Sequence, residues 1–267
     1  MKLRTLMLHA DSDEHYAKRL TLAVALARQH QAKLFVLCPI LPPVAPMTYA
    51  EYVPPQAIEA QVEAERNRAE ELRKLTTAAA TGIDCEWRAV EGQPEAVLPA
   101  ASGIADVVIM GQSSTESDSA TVASVALTSG RPLLCVPHTR AAGPFGKTIL
   151  LAWNGSREAA RAAHDALPFL TNADKVLLFS APEDEEDEHN LEDAAAHLGA
   201  HGAKIELLRT KLGDLDIGSA ILNAVSDHNA DMIVMGAYGH SRLREWVFGG
   251  ATRTILQSMT VPTLLSH

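Results

Sequence analysis

The sequence lacks any run of about 18 apolar residues, the minimum for a helix that crosses a membrane. Its opening residues also lack the apolar region and the small-residue cleavage site of a signal peptide. There are only three cysteines, Cys38, Cys85 and Cys135, and their spacing is not that of metal ligands. Because they lie in or beside apolar segments, we interpret them as reduced core residues. We therefore expect a cytoplasmic protein with no membrane association.

Positive charge is also scarce. The chain has 23 lysines and arginines against 33 aspartates and glutamates, which gives a net charge of −10. This excess of negative charge argues against partners that are polyanions, such as nucleic acid or an anionic membrane surface. The 267 residues are 47% hydrophobic and 21% charged, a globular composition with enough length for two domains.

Motifs for catalysis are missing as well. The sequence has no Gly-x-Ser-x-Gly nucleophile elbow, and no cysteine is placed with a histidine as in a catalytic triad. Residues 141–148 end like a phosphate-binding P-loop, but Ala141 replaces the first glycine and Lys147-Thr148 leads into a strand instead of following one. We therefore assign no catalytic residue and no metal ligand.

What the sequence does contain is an internal repeat. Strand-like apolar segments alternate with helical segments, and the same order occurs twice. Alternation of this kind predicts an α/β fold, with a parallel sheet covered by helices on both faces. We predict two such doubly wound domains, at residues 1–138 and 147–267, joined by a linker that contains Pro144 and two glycines.

The two copies differ in length at one place. Residues 230–236 repeat residues 105–111 at a distance of 125, whereas residues 262–265 repeat residues 132–135 at a distance of 130. The second copy therefore carries about five extra residues between its fourth and fifth strands, and they fall in a glycine-rich loop.

This glycine loop, residues 236–250, lies between a predicted strand end and a predicted helix start. Its glycines are Gly236, Gly239, Gly249 and Gly250. Glycines allow the backbone to approach a ligand closely, and a helix N-terminus offers unpaired N–H groups to an anion. In doubly wound sheets, ligands bind beyond the carboxyl ends of the strands where the strand order reverses. The loop is therefore a candidate phosphate site; the alternative is a turn that only closes the sheet.

The spacing Gly236-x2-Gly239-x9-Gly249 resembles the ATP-binding motif of the universal stress protein family, with Gly250 in place of the usual serine or threonine. The repeated strand ends extend this resemblance over nearly the whole chain. It implies five-stranded parallel sheets of order 3-2-1-4-5. It also implies fifth strands that join the two halves as an internal pseudo-dimer, with a homodimer of the chain as a further option.

The resemblance further implies a binding site for ATP, with or without Mg²⁺, or for a related adenine nucleotide. The residues at the end of the first strand would lie near the base and ribose, those after the fourth strand would wrap the phosphates, and the helix start would present N–H groups. The implied nucleotide-binding residues are Ala152, Trp153, Asn154, Met235, Gly236, Gly239, His240, Ser241, Gly249, Gly250, Ala251 and Thr252.

Two of these positions, Asn154 and Gly250, differ from the usual residues of the family motif. Asn154 replaces the family's usual aspartate, so it can donate a hydrogen bond but brings no charge. Gly250 removes a hydroxyl contact, which Thr252 could replace, although a threonine in a first helical turn is more often a cap. The first half has no glycine between Gly111 and Gly130, so we expect a degenerate copy that holds no ATP, even though it keeps Asp11.

Three functions are compatible with these features. We favour a stress-response regulator that binds an adenine nucleotide in its second half. The alternatives are an enzyme that slowly hydrolyses ATP or transfers phosphate through His240 or Ser241, and a ligand-free dimerisation scaffold. The acidic residues 183–188 are interpreted as a solvated loop, the alternative being a flap over the base pocket that recruits Mg²⁺.

Overall fold

A computed structural model of the chain describes residues 2–11, 14–43, 54–112, 116–139, 143–182, 184–239 and 250–267. In these ranges the strands are β1 (Thr5–His9), β2 (Lys33–Ile40), β3 (Cys85–Glu91), β4 (Val107–Gly111), β5 (Leu133–Val136), β6 (Thr148–Ala152), β7 (Lys175–Ser180), β8 (Ile205–Arg209), β9 (Met232–Gly236) and β10 (Thr263–Ser266). The helices are α1 (Tyr16–His30), α2 (Pro55–Ala79), α3 (Pro94–Ser102), α4 (Glu116–Thr128), α5 (Arg157–Asp165), α6 (Leu167–Leu170), α7 (Glu185–Ala200), α8 (Ile217–Asp227) and α9 (Gly250–Ser258). None of the helices in these ranges is long and apolar enough to cross a membrane.

Each half forms the predicted parallel sheet. The strand order is β3-β2-β1-β4-β5 in the first half, and the second half repeats it with β8-β7-β6-β9-β10. The inner strands are short apolar segments buried on both faces, as expected for parallel sheets covered by helices. Leu150 and Val234, for example, have no exposed surface.

The two sheets are joined into one. β5 and β10 pair in antiparallel fashion, with Leu134 opposite Leu264, so a single ten-stranded sheet runs through both halves. The contact between the fifth strands that the sequence led us to expect is thus present. The structure adds that the halves share backbone hydrogen bonds along one continuous sheet.

A repeated aspartate fixes the first strand of each half. In the first half, the Asp106 carboxylate accepts hydrogen bonds from the backbone N–H groups of Arg4 and Thr5. In the second half, Asp231 accepts from the N–H groups of residues 146–148 at distances of 3.0–3.1 Å. Each aspartate precedes the fourth strand, so it holds the start of the first strand against its neighbour and helps to set their register.

The interpretation of the acidic segment as a loop was wrong. Glu183 lies outside the described residues, but α7 begins at Glu185, and the Asp184 carboxylate accepts a hydrogen bond of 2.9 Å from the Asp187 N–H. Acidic side chains are favourable in a first helical turn, because the N-terminal end of a helix carries partial positive charge. The same negative charge that suggested a solvated loop therefore favours the start of a helix.

Gln112, directly after β4, links the first half to α9 of the second half. Its Nε2 atom donates to the carbonyl oxygens of Leu256 and Gln257 at 2.9 and 3.2 Å. Its Oε1 atom accepts from the His138 N–H at 3.1 Å. The carbonyls at the end of a helix have no partner within the helix, so the Gln112 side chain caps α9 from the other domain.

Replacing Gln112 with alanine is expected to lower the free energy of unfolding by about 1 kcal/mol, because the capping hydrogen bonds are only partly buried. Equilibrium denaturation in urea measures this change. Gln257→Ala is the matched control: its side chain is exposed, and the backbone carbonyl that Gln112 binds remains. Equal stability of Gln112→Ala and the control would contradict the capping role.

Candidate functional site

The site is built where the strand order of the second half reverses. β6 pairs with β9 on one side and with β7 on the other, and the chain leaves all three strands at the same edge of the sheet. Helices then cross to opposite faces, which opens a crevice beyond the strand ends. Residues 153–156 follow β6 into this crevice, and residues 237–239 follow β9.

The turn after β6 is specified by three consecutive residues. Asn154 Oδ1 accepts a hydrogen bond from the Ser156 N–H at 3.2 Å, which closes the turn. Gly155 has a φ of +68°, a left-handed conformation that side chains disfavour. Ser156 is the N-cap of α5, and its Oγ accepts from the Ala159 N–H at 3.2 Å. The Asn154 amide group stays exposed at the mouth of the crevice.

Trp153 is held in place by α7. Its indole Nε1 donates to Asn190 Oδ1 at 2.7 Å, and the ring packs against the apolar core on its other side. Any Cβ at Gly155 would lie 3.0 Å from the same Asn190 oxygen, so the turn and the helix fit closely together. One wall of the crevice is therefore built from contacts between the turn after β6 and α7.

The chain after β9 is shaped by contacts with α5 and α9. Gly236 lies against the first turn of α5, where a Cβ would come within 2.6 Å of the Glu158 carbonyl carbon. Tyr238 is left-handed, with a φ of +56°, and its N–H points at Thr252 Oγ1 at 3.4 Å. Thr252 is the third residue of α9 and is buried. Its hydroxyl oxygen therefore ties the residues after β9 to the start of α9.

These segments enclose a cavity of about 440 Å³. Nine of the twelve residues implied by the glycine motif line it: Ala152, Trp153, Asn154, Met235, Gly236, Gly239, Gly250, Ala251 and Thr252. The other three, His240, Ser241 and Gly249, lie outside the described residues. The structure thus brings together residues that are up to 100 positions apart in the sequence.

Sequence analysis missed part of the lining. The additional residues are Ser156, Glu158, Ala159, Phe179, Ser180, Ala181, Asp187, Asn190, Leu212, Ile217, Ile221 and Tyr238. Phe179, Ser180 and Ala181, at the end of β7, were predictable, because the strand order 3-2-1-4-5 places the second strand beside the first. No local sequence pattern predicts that Ile217 and Ile221 of α8 line the cavity, because this depends on how the helix packs over the sheet.

Among the described residues, the charged side chain of Glu158 lies beside Gly239. Its Oε1 is 3.0 Å from Arg157 Nη2, and a Cβ placed on Gly239 would be 3.1 Å from its Oε2. The Glu158 backbone N–H and the Arg157 guanidinium hold the pKa of this carboxyl below its usual range. The carboxylate is therefore ionised at neutral pH.

The first half has a cavity of about 390 Å³ at the corresponding place. It is lined by charged side chains that already have partners: Asp11 pairs with Arg19, and Arg68 donates to the Pro39 carbonyl and to Glu65. Residues of α2 thus contribute an ion pair, between Arg68 and Glu65, to the lining of this cavity. That the first half holds no ATP stays a prediction.

Two doubly wound domains, each with a crevice beyond its first and fourth strands and joined through their fifth strands, define the class of protein. The model of the universal stress protein family matches residues 3–129 and 146–267. The chain belongs to this family and carries two universal stress protein domains in tandem.

Comparisons with individual proteins agree with this assignment. The structure is similar to a universal stress protein of Archaeoglobus fulgidus, with a TM-score of 0.77 and 19% identity over 98% of this chain and 95% of that one. A functionally unknown protein of Pseudomonas aeruginosa gives a TM-score of 0.59 at 14% identity, covering 99% of this chain and 92% of that one. At these identities the likeness concerns the fold alone.

A curated relative, a universal stress protein of Synechocystis, is 36% identical over 75 residues. That match covers 27% of this chain and only 26% of the relative's length.

Proposed function

We propose that this stress-response protein is a regulator that binds an adenine nucleotide, ATP or a related molecule, in the cavity of its second half. The observation that carries the proposal is the convergence of nine motif residues, from β6, β9 and α9, on one cavity. Its volume of about 440 Å³ falls within the range of roughly 300–1,000 Å³ that is usual for small-molecule sites.

The chemistry of the cavity suits a nucleoside with an anionic group. Ala152, Phe179 and Ile217 offer an apolar surface on which a base can lie. The Asn154 NH₂ group, which makes no hydrogen bond to the described residues, can donate to a base or a ribose. Gly250 and Ala251 open α9, so their N–H groups and the positive end of the helix dipole face an anion at this end of the cavity.

The regulatory part of the proposal follows from where α9 ends. Its first turn lines the cavity, and its last carbonyls are bound by Gln112 of the first half. A ligand that favours one position of α9 would thereby bias contacts between the halves, and a homodimer would be affected through the same sheet.

We also propose a cytoplasmic location, consistent with Cys38, Cys85 and Cys135 all being free thiols.

Gly250→Val is expected to weaken nucleotide binding at least about tenfold, because the side chain occupies the lining where the anion would be held. No described heavy atom lies within 4 Å of a Cβ at this position, so the fold should be retained. Acid extraction of freshly purified protein followed by chromatography identifies any bound nucleotide, and titration calorimetry with ATP and AMP gives the affinities.

Gly199→Val provides the control, since it is another helical glycine with open space around it and does not line the cavity. Absence of extracted nucleotide, together with no heat on titration of the unmodified protein, would reject the proposal. If Gly250→Val and Gly199→Val bind nucleotide with equal affinity, the nucleotide does not bind at the start of α9.

A further inference from the structure

The side-chain amide of Asn190 is held in one orientation by Trp153. The indole Nε1 of Trp153 donates to Asn190 Oδ1 at 2.7 Å. An indole N–H can only donate a hydrogen bond, so its partner must be the amide oxygen and cannot be the amide nitrogen. The indole is itself half-buried and packs against the apolar core. Asn190 therefore cannot exchange its oxygen and nitrogen atoms without losing this bond.

The turn after β6 also confines the Asn190 amide. An ideal Cβ on Gly155 would lie 3.0 Å from Asn190 Oδ1 and 3.6 Å from Nδ2. The Nδ2 group makes no hydrogen bond to the part of the chain that the structure describes. An amide oxygen has two lone pairs, and the indole uses only one of them. Because Asn190 lines the cavity, it offers a ligand an N–H donor and a carbonyl acceptor in a fixed order.

We infer that Asn190, oriented by Trp153, selects adenine over purine bases with a 6-oxo group. The inference rests on the proposed function and names the side chain that recognises the base. Adenine carries an amino donor at position 6 beside acceptor ring nitrogens, and an asparagine amide pairs with this pattern through both of its polar atoms.

Hypoxanthine and guanine present the opposite order to the same amide. Their position 6 is a carbonyl acceptor, and their N1 carries a hydrogen and is a donor. With the amide held as it is, Asn190 Oδ1 would face the 6-oxo group, so two acceptors would oppose each other. A 6-oxo purine is accepted only if the amide turns over, and the turn costs the hydrogen bond from Trp153. Trp153 is thus a positioning residue for base selection.

Titration calorimetry with two matched pairs of nucleotides, AMP with IMP and ATP with ITP, tests the inference. Within each pair the ribose and the phosphates are identical, so the ratio of affinities reports the contact with the base alone. The unmodified protein should bind the adenine member at least about tenfold more tightly than the hypoxanthine member. Trp153→Phe keeps an aromatic ring but removes the N–H, so the amide can turn and the ratio should fall below about threefold.

Asn190→Asp should shift the preference toward hypoxanthine. Asn190 is exposed, so the replacement should leave the fold intact. An aspartate keeps an oxygen for the Trp153 indole, but it has only acceptor atoms, which suit the N1–H of hypoxanthine and oppose the N1 acceptor of adenine. The ratio should therefore move toward the hypoxanthine nucleotide by at least about tenfold. The added negative charge acts equally on both members of a pair.

Trp87→Phe is the matched control. Trp87 of β3 is another partly buried indole packed against the same apolar cluster as Trp153, but it does not line the cavity. The variant makes the same chemical change and should leave both affinity ratios unaltered.

The outcomes separate this inference from the proposed function. If adenine and hypoxanthine nucleotides bind equally well to the unmodified protein, or if Trp153→Phe and Asn190→Asp leave the ratio as it was, base selection by Asn190 is refuted while nucleotide binding stands. If none of the four nucleotides binds, the proposed function fails and the inference fails with it.

Discussion

Gly236→Ala is expected to lower the free energy of unfolding by about 1–3 kcal/mol, the usual cost of forcing a methyl group into a packed interior. The added Cβ would lie 2.6 Å from the Glu158 carbonyl carbon and 2.8 Å from the Ala159 nitrogen. These are backbone atoms of a helical turn that Ser156 caps, so they cannot yield as the end of a flexible side chain would. Denaturation in urea, followed by circular dichroism, measures the loss.

The same substitution should weaken ligand binding. Relief of the clash requires α5 to move away from β9, and α5 carries Glu158 and follows the turn that places Asn154. Gly250→Ala is the appropriate comparison, because nothing lies within 4 Å of its added Cβ and its stability should change by less than about 1 kcal/mol. Unchanged stability of Gly236→Ala would mean that α5 does not pack against β9 as described.

Gly236 also illustrates a limit of sequence analysis. From the sequence, the reason for a glycine here was close approach of the backbone to a ligand, and that reason stays a prediction. The structure gives a second reason, since the first turn of α5 occupies that space. A glycine pattern indicates that some group comes close to the backbone, but it does not indicate whether that group is a ligand or another part of the protein.

The fold itself was largely accessible from the sequence because of the repeat. Apolar segments such as 107–110 and 232–235 specify buried parallel strands, and their recurrence at corresponding places predicted two copies of one sheet. Local patterns could not specify the cross-domain cap by Gln112, because hydrogen bonds between residues 144 positions apart leave no periodicity.

The lining of the candidate site was predictable from the sequence to a similar degree. Residues at strand ends, such as Ala152 and Gly236, follow from topology, because the crevice must lie where the strand order reverses. Ile217 and Glu158 belong to helices, and whether a helical residue faces a cavity depends on the rotation of the helix against the sheet. The error on residues 184–188 has a different origin, since acidic residues favour both solvent and a helix start.

Asp231→Ala should be the most destabilising of the substitutions considered, lowering the free energy of unfolding by about 2–4 kcal/mol. It removes the acceptor for the N–H groups of residues 146–148, which lead into β6. Hydrogen bonds to a charged acceptor contribute more to the free energy of unfolding than those between neutral groups. Three backbone N–H groups would lose this acceptor at once. Asp231→Asn, which keeps one acceptor oxygen, should lose less.

Asp231→Ala should also affect the candidate nucleotide site, because the residues that follow β6 and β9 form two of its sides. Asp231 fixes the start of β6 against β9, so its loss should also weaken nucleotide binding, measured by calorimetry at a temperature where the variant is folded. Asp174→Ala is the control: Asp174 is exposed, and its pairing with Lys147 at 3.6 Å should contribute less than about 1 kcal/mol. If both variants unfold at the same urea concentration, the Asp231 carboxylate does not hold the strands, and the register of β6 and β9 comes from their backbone pairing and apolar side chains.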